Sequence, residues 1–314
     1  MPNEWDFPTL IEIVKSSDTS DLQRLLIDIV IGRRAGTFFG AIPMKRINGL
    51  SEQVTQITSH PGVTWRSLGE GLEETKGGER DILFNVALVS SLSGAEVNKA
   101  EKFEGGVTAY RQKEDRKHLR ALGQEADKGI FYNKASSKSI EGIMRMLPST
   151  ASTYVSCGAA NETFSIYSFI FGEEWFYGFY SPFANGDIFS TRDYGLQIDT
   201  VTQGGVSKKI GKYYTEFNAC FGYAIANPKA IGRITKFDLS NRLTVDKLTE
   251  LYTSMDGKPD LFVCNYSGKG EFNVLKDYIV TMKPEETGLN YEVSSLDGVP
   301  ILVDTNLSSV ENTL

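Results

Sequence analysis

The composition is that of an ordinary globular protein with an acidic charge balance. The 314 residues include 33 Lys and Arg against 40 Asp and Glu, a net charge of −7 at neutral pH. Hydrophobic residues make up 40% of the chain and glycine adds 30 residues, which excludes disordered, collagen-like and disulfide-dense classes. At about 150 residues per domain, the length allows two domains.

Cysteine usage and the start of the chain both predict a cytosolic protein. Cys157, Cys220 and Cys264 are too far apart in sequence for a close metal-ligand or redox pair, so we expect small buried side chains. The start, Met1–Asp6, is acidic where a signal peptide is basic, and no apolar run reaches the roughly 18 residues of a membrane span. We therefore expect no membrane partner.

Two short amphipathic helices are predicted before Arg34. Their apolar residues recur at helical spacing, and they are Leu10, Ile11 and Val14 in the first and Leu22, Leu25, Leu26 and Ile29 in the second. Both helices need a partner surface.

From Phe38 to about Arg80, polar residues with β propensity predict a long hairpin. His60-Pro61-Gly62-Val63 predicts its turn, because proline presets the backbone at the second position and glycine allows positive φ at the third. Its apolar side chains are too few for a core, and an isolated two-stranded hairpin is marginal in water. The hairpin is therefore expected to lie on another surface, in this chain or in a neighbouring copy.

A near-continuous apolar strand, Ile82–Val89, precedes the clearest helical pattern of the sequence. From Tyr110 to about Tyr132, apolar residues fall on one stripe and charged residues on the other faces. The predicted helix has about 20 residues and spans roughly 30 Å. Its buried stripe consists of Leu119, Leu122, Ala126 and Ile130.

The middle of the chain predicts an antiparallel sheet. Aromatic residues run from Phe164 to Phe171, turn at Gly172-Glu173-Glu174 and return from Trp175 to Tyr180, which predicts a hairpin. Two further strand patterns, Leu196–Thr202 and Tyr213–Ile225, flank Gly204-Gly205.

The last third alternates helix and strand and predicts a small α/β unit, so the whole chain is expected to be α+β. Its elements are a helix capped by Thr244 with Leu248, Leu251, Tyr252 and Met255 on one face, a buried strand Leu261–Cys264, a helix marked by Phe272, Leu275 and Ile279, and a turn at Asp297-Gly298 before Val299–Val303.

No catalytic or metal-binding pattern stands out, so we predict neither an enzyme nor a cofactor. The two histidines, His60 and His118, fit no zinc or protease spacing. The segment Gly204–Tyr213 departs from a phosphate loop in spacing and in its final residue. The aromatic run Phe164–Phe183 could stack on sugars or bases, but packing in a sheet core is the favoured interpretation.

Four separated segments resemble one family. They are Pro61–Leu68, Gly106–Arg111 with Phe131–Asn133, Trp175–Pro182, and Gly298–Ile301. In this order they are similar to the extended loop, the spine helix, a hairpin and the closing strand of the major capsid proteins of tailed bacteriophages, which share the Hong Kong 97-like fold.

The resemblance implies a domain order that covers nearly the whole chain. Residues 1–38 would be an N-terminal arm, 39–84 an extended β-hairpin loop, and 85–135 a peripheral domain with the spine helix. Residues 136–235 would be a β-rich middle, and 236–314 an axial domain with the closing strand.

The same resemblance implies a subunit that self-assembles into an icosahedral head around double-stranded DNA. Its partners would be copies of itself in hexamers and pentamers, with scaffolding, portal and decoration proteins as further candidates, and it would assemble in the host bacterial cytoplasm. A charge of −7 suits a wall that does not condense DNA. The alternatives are an encapsulin-like compartment shell and a β-rich carbohydrate-binding or hydrolytic protein. The candidate intersubunit contacts are Pro61, Gly62, Val63, Trp65, Arg66, Leu68, Arg111, Asp115, Arg116 and Lys117.

Overall fold

A computed structural model describes residues 37–134, 136, 138–161, 163–183, 187–203, 206–255, 257–275, 279–282 and 293–311. The two helices predicted before Arg34 lie outside these residues. The helices of the described part are α1 (Phe38–Ala41), α2 (Val97–Glu101), α3 (Gly106–Tyr132), α4 (Ile143–Met146), α5 (Val245–Ser254) and α6 (Tyr266–Val274). The strands are β1 (Met44–Arg46), β2 (Ser51–Ser59), β3 (Gly78–Asn85), β4 (Ala87–Glu96), β5 (Tyr154–Ser156), β6 (Ile166–Phe169), β7 (Phe176–Tyr180), β8 (Phe189–Gln203), β9 (Val206–Ile225), β10 (Ile231–Thr235), β11 (Leu261–Cys264), β12 (Ile279–Met282), β13 (Val293–Leu296) and β14 (Val299–Val303).

These strands form three sheets, so the predicted α+β class is confirmed. A five-stranded sheet has the order β1-β7-β9-β4, with β8 also paired to β9. A seven-stranded sheet has the order β12-β13-β14-β11-β6-β10-β5, and β2 pairs with β3 alone. As predicted for the middle of the chain, β9 pairs antiparallel with β4, β7 and β8.

The long helix α3 packs its predicted stripe inward. Leu119, Leu122, Ala126 and Ile130 are all buried in one core cluster with residues of the five-stranded sheet. The helix is 27 residues long and begins earlier than predicted, after Gly105, whose φ of 100° suits glycine. At 1.5 Å per residue it spans roughly 40 Å.

The seven-stranded sheet carries the second core cluster, and most of its predicted elements are confirmed. The Thr244 side chain accepts a hydrogen bond from the Lys247 N–H and caps α5, whose Leu248 and Leu251 are buried. Asp297 and Gly298, both with positive φ, form the turn between β13 and β14. Ile279, predicted in a helix, lies in β12 instead, because α6 ends at Val274.

The aromatic segments predicted as one hairpin belong to two sheets. The chain does reverse at Gly172, whose carbonyl accepts from the Trp175 N–H at 3.1 Å. However, β6 pairs with β10 and β11, whereas β7 pairs with β1 and β9. Every residue of both strands is buried, as in strands covered on both faces. The aromatic run is therefore core, and the stacking-platform alternative is wrong.

Two smaller expectations also need correction. The apolar stretch Ile82–Val89 is divided between two strands, because β3 ends at Asn85 and β4 begins at Ala87, where the chain passes from the β2–β3 pair into the five-stranded sheet. Of the cysteines, only Cys264 is buried, while Cys157 and Cys220 are half-buried.

Candidate assembly site

The hairpin of β2 and β3 is fixed to the body of the molecule at its base. Val54 of β2 is buried in a small cluster with Ile47, Tyr177 and Phe179. The Gln56 Nε2 donates to the Ile225 carbonyl at 2.6 Å. The first half of β2 is therefore held against the five-stranded sheet.

An ionic junction reinforces this base. Lys45 Nζ lies 3.0 Å from a Glu52 carboxylate oxygen and 2.9 Å from one of Glu173, and the Tyr177 hydroxyl donates to Glu52 at 3.2 Å. Partial burial works to lower the pKa of Lys45, but hydrogen bonds to Glu173 and Glu52 raise it above its ordinary value. The junction joins β1, β2 and the turn that follows β6.

Beyond β2 the chain projects as a long loop, residues 60–77, without strands. The reversal lies at Ser67–Glu70, where the Glu70 N–H donates to the Ser67 carbonyl at 3.2 Å and Gly69 has a φ of 99°. The turn predicted at His60–Val63 is therefore wrong. Pro61 has no N–H to continue the ladder, so it ends strand pairing without reversing the chain.

The predicted loop residues lie in this projecting segment. Arg66 Nη1 donates to the Glu70 carbonyl at 2.7 Å, and the Gly62 carbonyl accepts from the Thr75 hydroxyl at 2.8 Å. The side chains of Val63, Trp65 and Leu68 are 91%, 100% and 108% exposed. No described residue covers these three side chains. Burying each of them against another surface would stabilise that contact by about 1.5–3 kcal/mol.

The four predicted residues of α3 differ in what they contact. Arg111 Nη2 lies 2.7 Å from an Asp193 carboxylate oxygen, and Lys117 Nζ lies 2.8 Å from one of Glu114. Asp115 is buried, and desolvation raises the pKa of its carboxyl although Ser93 hydrogen-bonds to it. Arg116 is exposed. Among the described residues, no hydrogen bond or ion pair joins the predicted loop residues to these four.

Sequence reasoning missed an apolar face of the five-stranded sheet. The Ser91 hydroxyl contacts His118 of α3 at 2.9 Å, so Ser91 faces α3. The residues directly before and after Ser91 on β4 point to the opposite face of the sheet. That face, here called the outer sheet face, includes exposed Leu88, Leu92 and Tyr194. It holds a depression of about 590 Å³ whose lining includes Ser90, Leu92, Tyr194, Gln197, Tyr214 and Glu216.

The available signal for this face was the alternation of Leu88, Ser90 and Leu92. An alternating pattern indicates a strand with one face on the core, but the pattern alone does not say that the leucines face outward. The buried face of β4 carries small residues such as Ala95 and Ser93, while Leu88 and Leu92 of the same strand are exposed. In this strand the larger apolar side chains therefore lie on the exposed face, the reverse of the usual arrangement.

The described residues hold no cluster of His, Cys, Asp and Glu suited to a metal ion. None of the helices in that part of the chain has the length and apolarity to cross a bilayer. The loop and the outer sheet face expose apolar side chains, among them Trp65, Leu68, Leu88 and Leu92, that another surface could cover.

Comparisons with known proteins identify one family and a similar fold. The sequence model of a family described as major capsid protein GP7 matches residues 37–258. The capsid of bacteriophage Epsilon15 includes a similar chain, with a TM-score of 0.60 and 17% identity over 99% of this chain and 98% of that one. A chain of the bacteriophage JBD30 capsid is 11% identical over 94% and 98% of the two chains, with a TM-score of 0.45. No curated protein matches.

The Epsilon15 similarity concerns the fold, whereas the family match covers most of the sequence and carries the assignment. Membership implies a structural, non-enzymatic role and a place in the virion capsid. The chain belongs to the major capsid protein GP7 family and is a structural subunit of a phage capsid.

Proposed function

We propose that this subunit has the Hong Kong 97-like architecture and builds the icosahedral head of a tailed phage around double-stranded DNA. Residues 1–38 are the arm, 39–84 the extended loop, 85–135 the peripheral domain with spine helix α3, 136–235 the β-rich middle, and 236–314 the axial domain. The observation that carries the proposal is the complete exposure of Trp65 and Leu68 on a loop whose base is rigidly anchored.

The loop docks on the outer sheet face of a neighbouring copy. In the described chain, large exposed apolar side chains are concentrated on the hairpin and on the strands β4 and β8. One tryptophan buries about 150–250 Å² when covered, and a depression of about 590 Å³ can receive an indole ring with a neighbouring leucine.

Charge supports the same pairing. The far side of the loop carries Glu70, Glu73 and Glu74, all exposed, and the β8–β9 hairpin next to the outer sheet face carries exposed Lys208 and Lys209. Placing the acidic stretch beside these lysines adds complementary charges at the rim. Such rim charges contribute more to association rate and register than to affinity.

A contact between a loop and a distinct surface is heterologous. Each copy donates its loop to one neighbour and receives a loop from another, and such contacts close into rings when the rotation allows. Pentamers and hexamers are the rings that this proposal requires. Exposed Arg66 and Arg116 remain available for intersubunit ion pairs, whereas Lys117 already pairs with Glu114 and would have to exchange that partner. Each intersubunit pair would contribute about 0–1 kcal/mol.

Scaffolding, portal and decoration proteins complete the proposed set of partners, and assembly takes place in the host bacterial cytoplasm. A net charge of −7 keeps the wall from condensing the packaged DNA.

The test replaces residues 60–77 by Asn-Gly, a two-residue turn suited to a hairpin. Ser59 pairs with Gly78, so the shortened hairpin keeps its ladder. We expect a folded subunit that forms no shells in negative-stain electron micrographs. The double variant Trp65→Ala, Leu68→Ala should also fail to form shells, while Leu239→Ala, which removes another side chain that is 88% exposed, should assemble normally. Shells of normal size from the loop replacement would contradict the proposal.

A further inference from the structure

The short helix α1 enters the core as a pair of aromatic side chains. The Phe38 ring stacks on Phe169 of β6 with centroids 4.3 Å apart, and the Phe39 ring meets Phe221 of β9 at 4.5 Å. The two rings therefore pack against both large sheets. α1 is the first helix of the described residues.

Two buried carboxyl groups hold the first amides of this helix. The Phe38 N–H donates to Asp304 Oδ2 at 3.0 Å, and the Phe39 N–H donates to Asp127 Oδ1 at 2.8 Å. Asn306 completes the cluster, with its Nδ2 donating to Asp127 at 2.9 Å and its N–H donating to Asp304 at 2.8 Å. The exposed fractions of Asp127 and Asp304 are 0% and 1%.

The two carboxyl groups lie close together, because Asn306 hydrogen-bonds to both of them and each accepts the N–H of one of two consecutive residues. Two buried carboxylates that lie close together repel each other, so the pair is favoured with one proton between them. We place the proton on Asp127, which is completely buried and whose pKa is raised well above its ordinary value by burial and then by the charge of Asp304.

We propose that Asp127 and Asp304 share one proton and act as a latch, which holds the Phe38–Phe39 segment in the core and loosens when the proton is lost to solvent. The latch joins α3, the segment after β14 and α1, three parts of the chain that are distant in sequence.

The groups named next, which surround the two carboxyl groups, are uncharged, so the shared proton is the one that titrates. α1 contributes no charged side chain, Asn306 is neutral, and Cys264 of β11, which acts electrostatically with Asp304, has its thiol pKa raised to about 12 by burial. Burial, and then the charge of Asp304, hold the pKa of Asp127 well above its ordinary value of 3.8.

The raised pKa of Asp127 determines the sign of the pH dependence. In the opened state the Phe38–Phe39 segment has left the core. The folded state binds the proton more tightly than this opened state, so opening becomes easier as pH rises from the ordinary carboxyl pKa to the raised pKa of Asp127. One proton released on opening raises the opening constant up to about tenfold per pH unit in this window.

Hydrogen exchange of the full-length protein tests the latch, with mass spectrometry following the peptide that contains the Phe38 and Phe39 amides between pH 5 and pH 8. After correction for the intrinsic exchange rate, we expect the protection of these amides to fall as pH rises. Asp127→Asn keeps a neutral side chain at the site, so the corrected protection should become nearly independent of pH.

Asp260→Asn is the matched control, because Asp260 also accepts a backbone N–H, from Phe171 at 2.9 Å, and burial also raises its pKa. This variant should keep the pH dependence at Phe38 and Phe39. If Asp127→Asn does not fold, Asp304→Asn replaces it; this change removes the charge of Asp304 but not the burial of Asp127, so the fall in protection with pH should be reduced. The latch is rejected by constant protection in the wild type, or by an undiminished slope in the variant.

Discussion

At the scale of single residues, the side chain of Glu311, near the end of the described residues, connects several elements of the fold. Its buried carboxylate accepts from Arg233 Nη2 at 2.9 Å, from the Tyr132 hydroxyl at 3.0 Å and from the Tyr167 hydroxyl at 3.3 Å. Burial and the charge of Glu311 raise the pKa of both tyrosines above their ordinary value, so both remain hydrogen-bond donors. One carboxylate thus joins α3, β6 and β10.

Removing this carboxylate should cost far more than removing a surface charge. Glu311→Ala leaves the Arg233 guanidinium buried without its counter-ion, so we expect a loss of about 3–5 kcal/mol in the free energy of unfolding. Lys247→Ala, which breaks the exposed Lys247–Glu250 pair, should change it by about 0–1 kcal/mol. Urea denaturation followed by circular dichroism measures both free energies of unfolding. Equal losses would show that the buried pair contributes no more to stability than the exposed pair.

Sequence reasoning could not find this network or the Asp127–Asp304 latch. Glu311 and Arg233 are 78 positions apart, and Asp127 and Asn306 are 179 apart. Partners at such separations are set by the fold. By contrast, the Thr244 cap and the Asp297-Gly298 turn depend on neighbouring residues only, and both were predictable.

At the scale of elements, local patterns identified strands and helices better than their partners. The stripe of α3 and the N-cap of α5 at Thr244 were predictable from local sequence patterns. A reversal at Gly172 was readable too, but β6 and β7 join different sheets because each is buried on both faces and pairs with strands distant in sequence. The outer sheet face was missed for a related reason, since alternation identifies two faces without saying which one is covered.

The projecting hairpin combines an anchored base with an exposed loop, and two residues of β2 separate these roles. Val54→Ala should destabilise the hairpin by about 2 kcal/mol, because Val54 is buried against the sheet. Ile57→Ala should change stability by less than about 0.5 kcal/mol, because Ile57 is largely exposed.

Hydrogen exchange of the β2 and β3 amides in the unassembled subunit distinguishes these variants. Faster exchange in Val54→Ala with unchanged exchange in Ile57→Ala is the expected result. Similar exchange in both would mean that the hairpin is not held at Val54.

At the scale of the whole molecule, the accessible surface is larger than a compact monomer needs. The chain exposes 18029 Å², whereas a compact monomer of 34.8 kDa exposes about 13,000 Å². The loop contributes to this excess with side chains that have no cover in the described residues. Assembly gives such surface a function, because a subunit that buried its loop against itself would have none to offer a neighbour.

A heterologous contact predicts how two defective subunits behave together. The loop-replaced variant keeps an intact outer sheet face, while a variant carrying Leu92→Asp and Tyr194→Asp keeps an intact loop but places charge in the acceptor depression. Neither variant should form shells alone. In a mixture, the face variant supplies its loop and the loop-replaced variant supplies its outer sheet face, so one contact forms. The pair then has no second loop and no second intact face, so no further copy can add.

Analytical ultracentrifugation of the mixture should therefore show one-to-one pairs and nothing larger. A self-complementary contact, in which the same patch meets its own copy, would give no pairs, since each defective subunit spoils its own half of the contact. Shells from the mixture would place the acceptor elsewhere. One-to-one pairs would establish both the loop and the outer sheet face as the two halves of the interface.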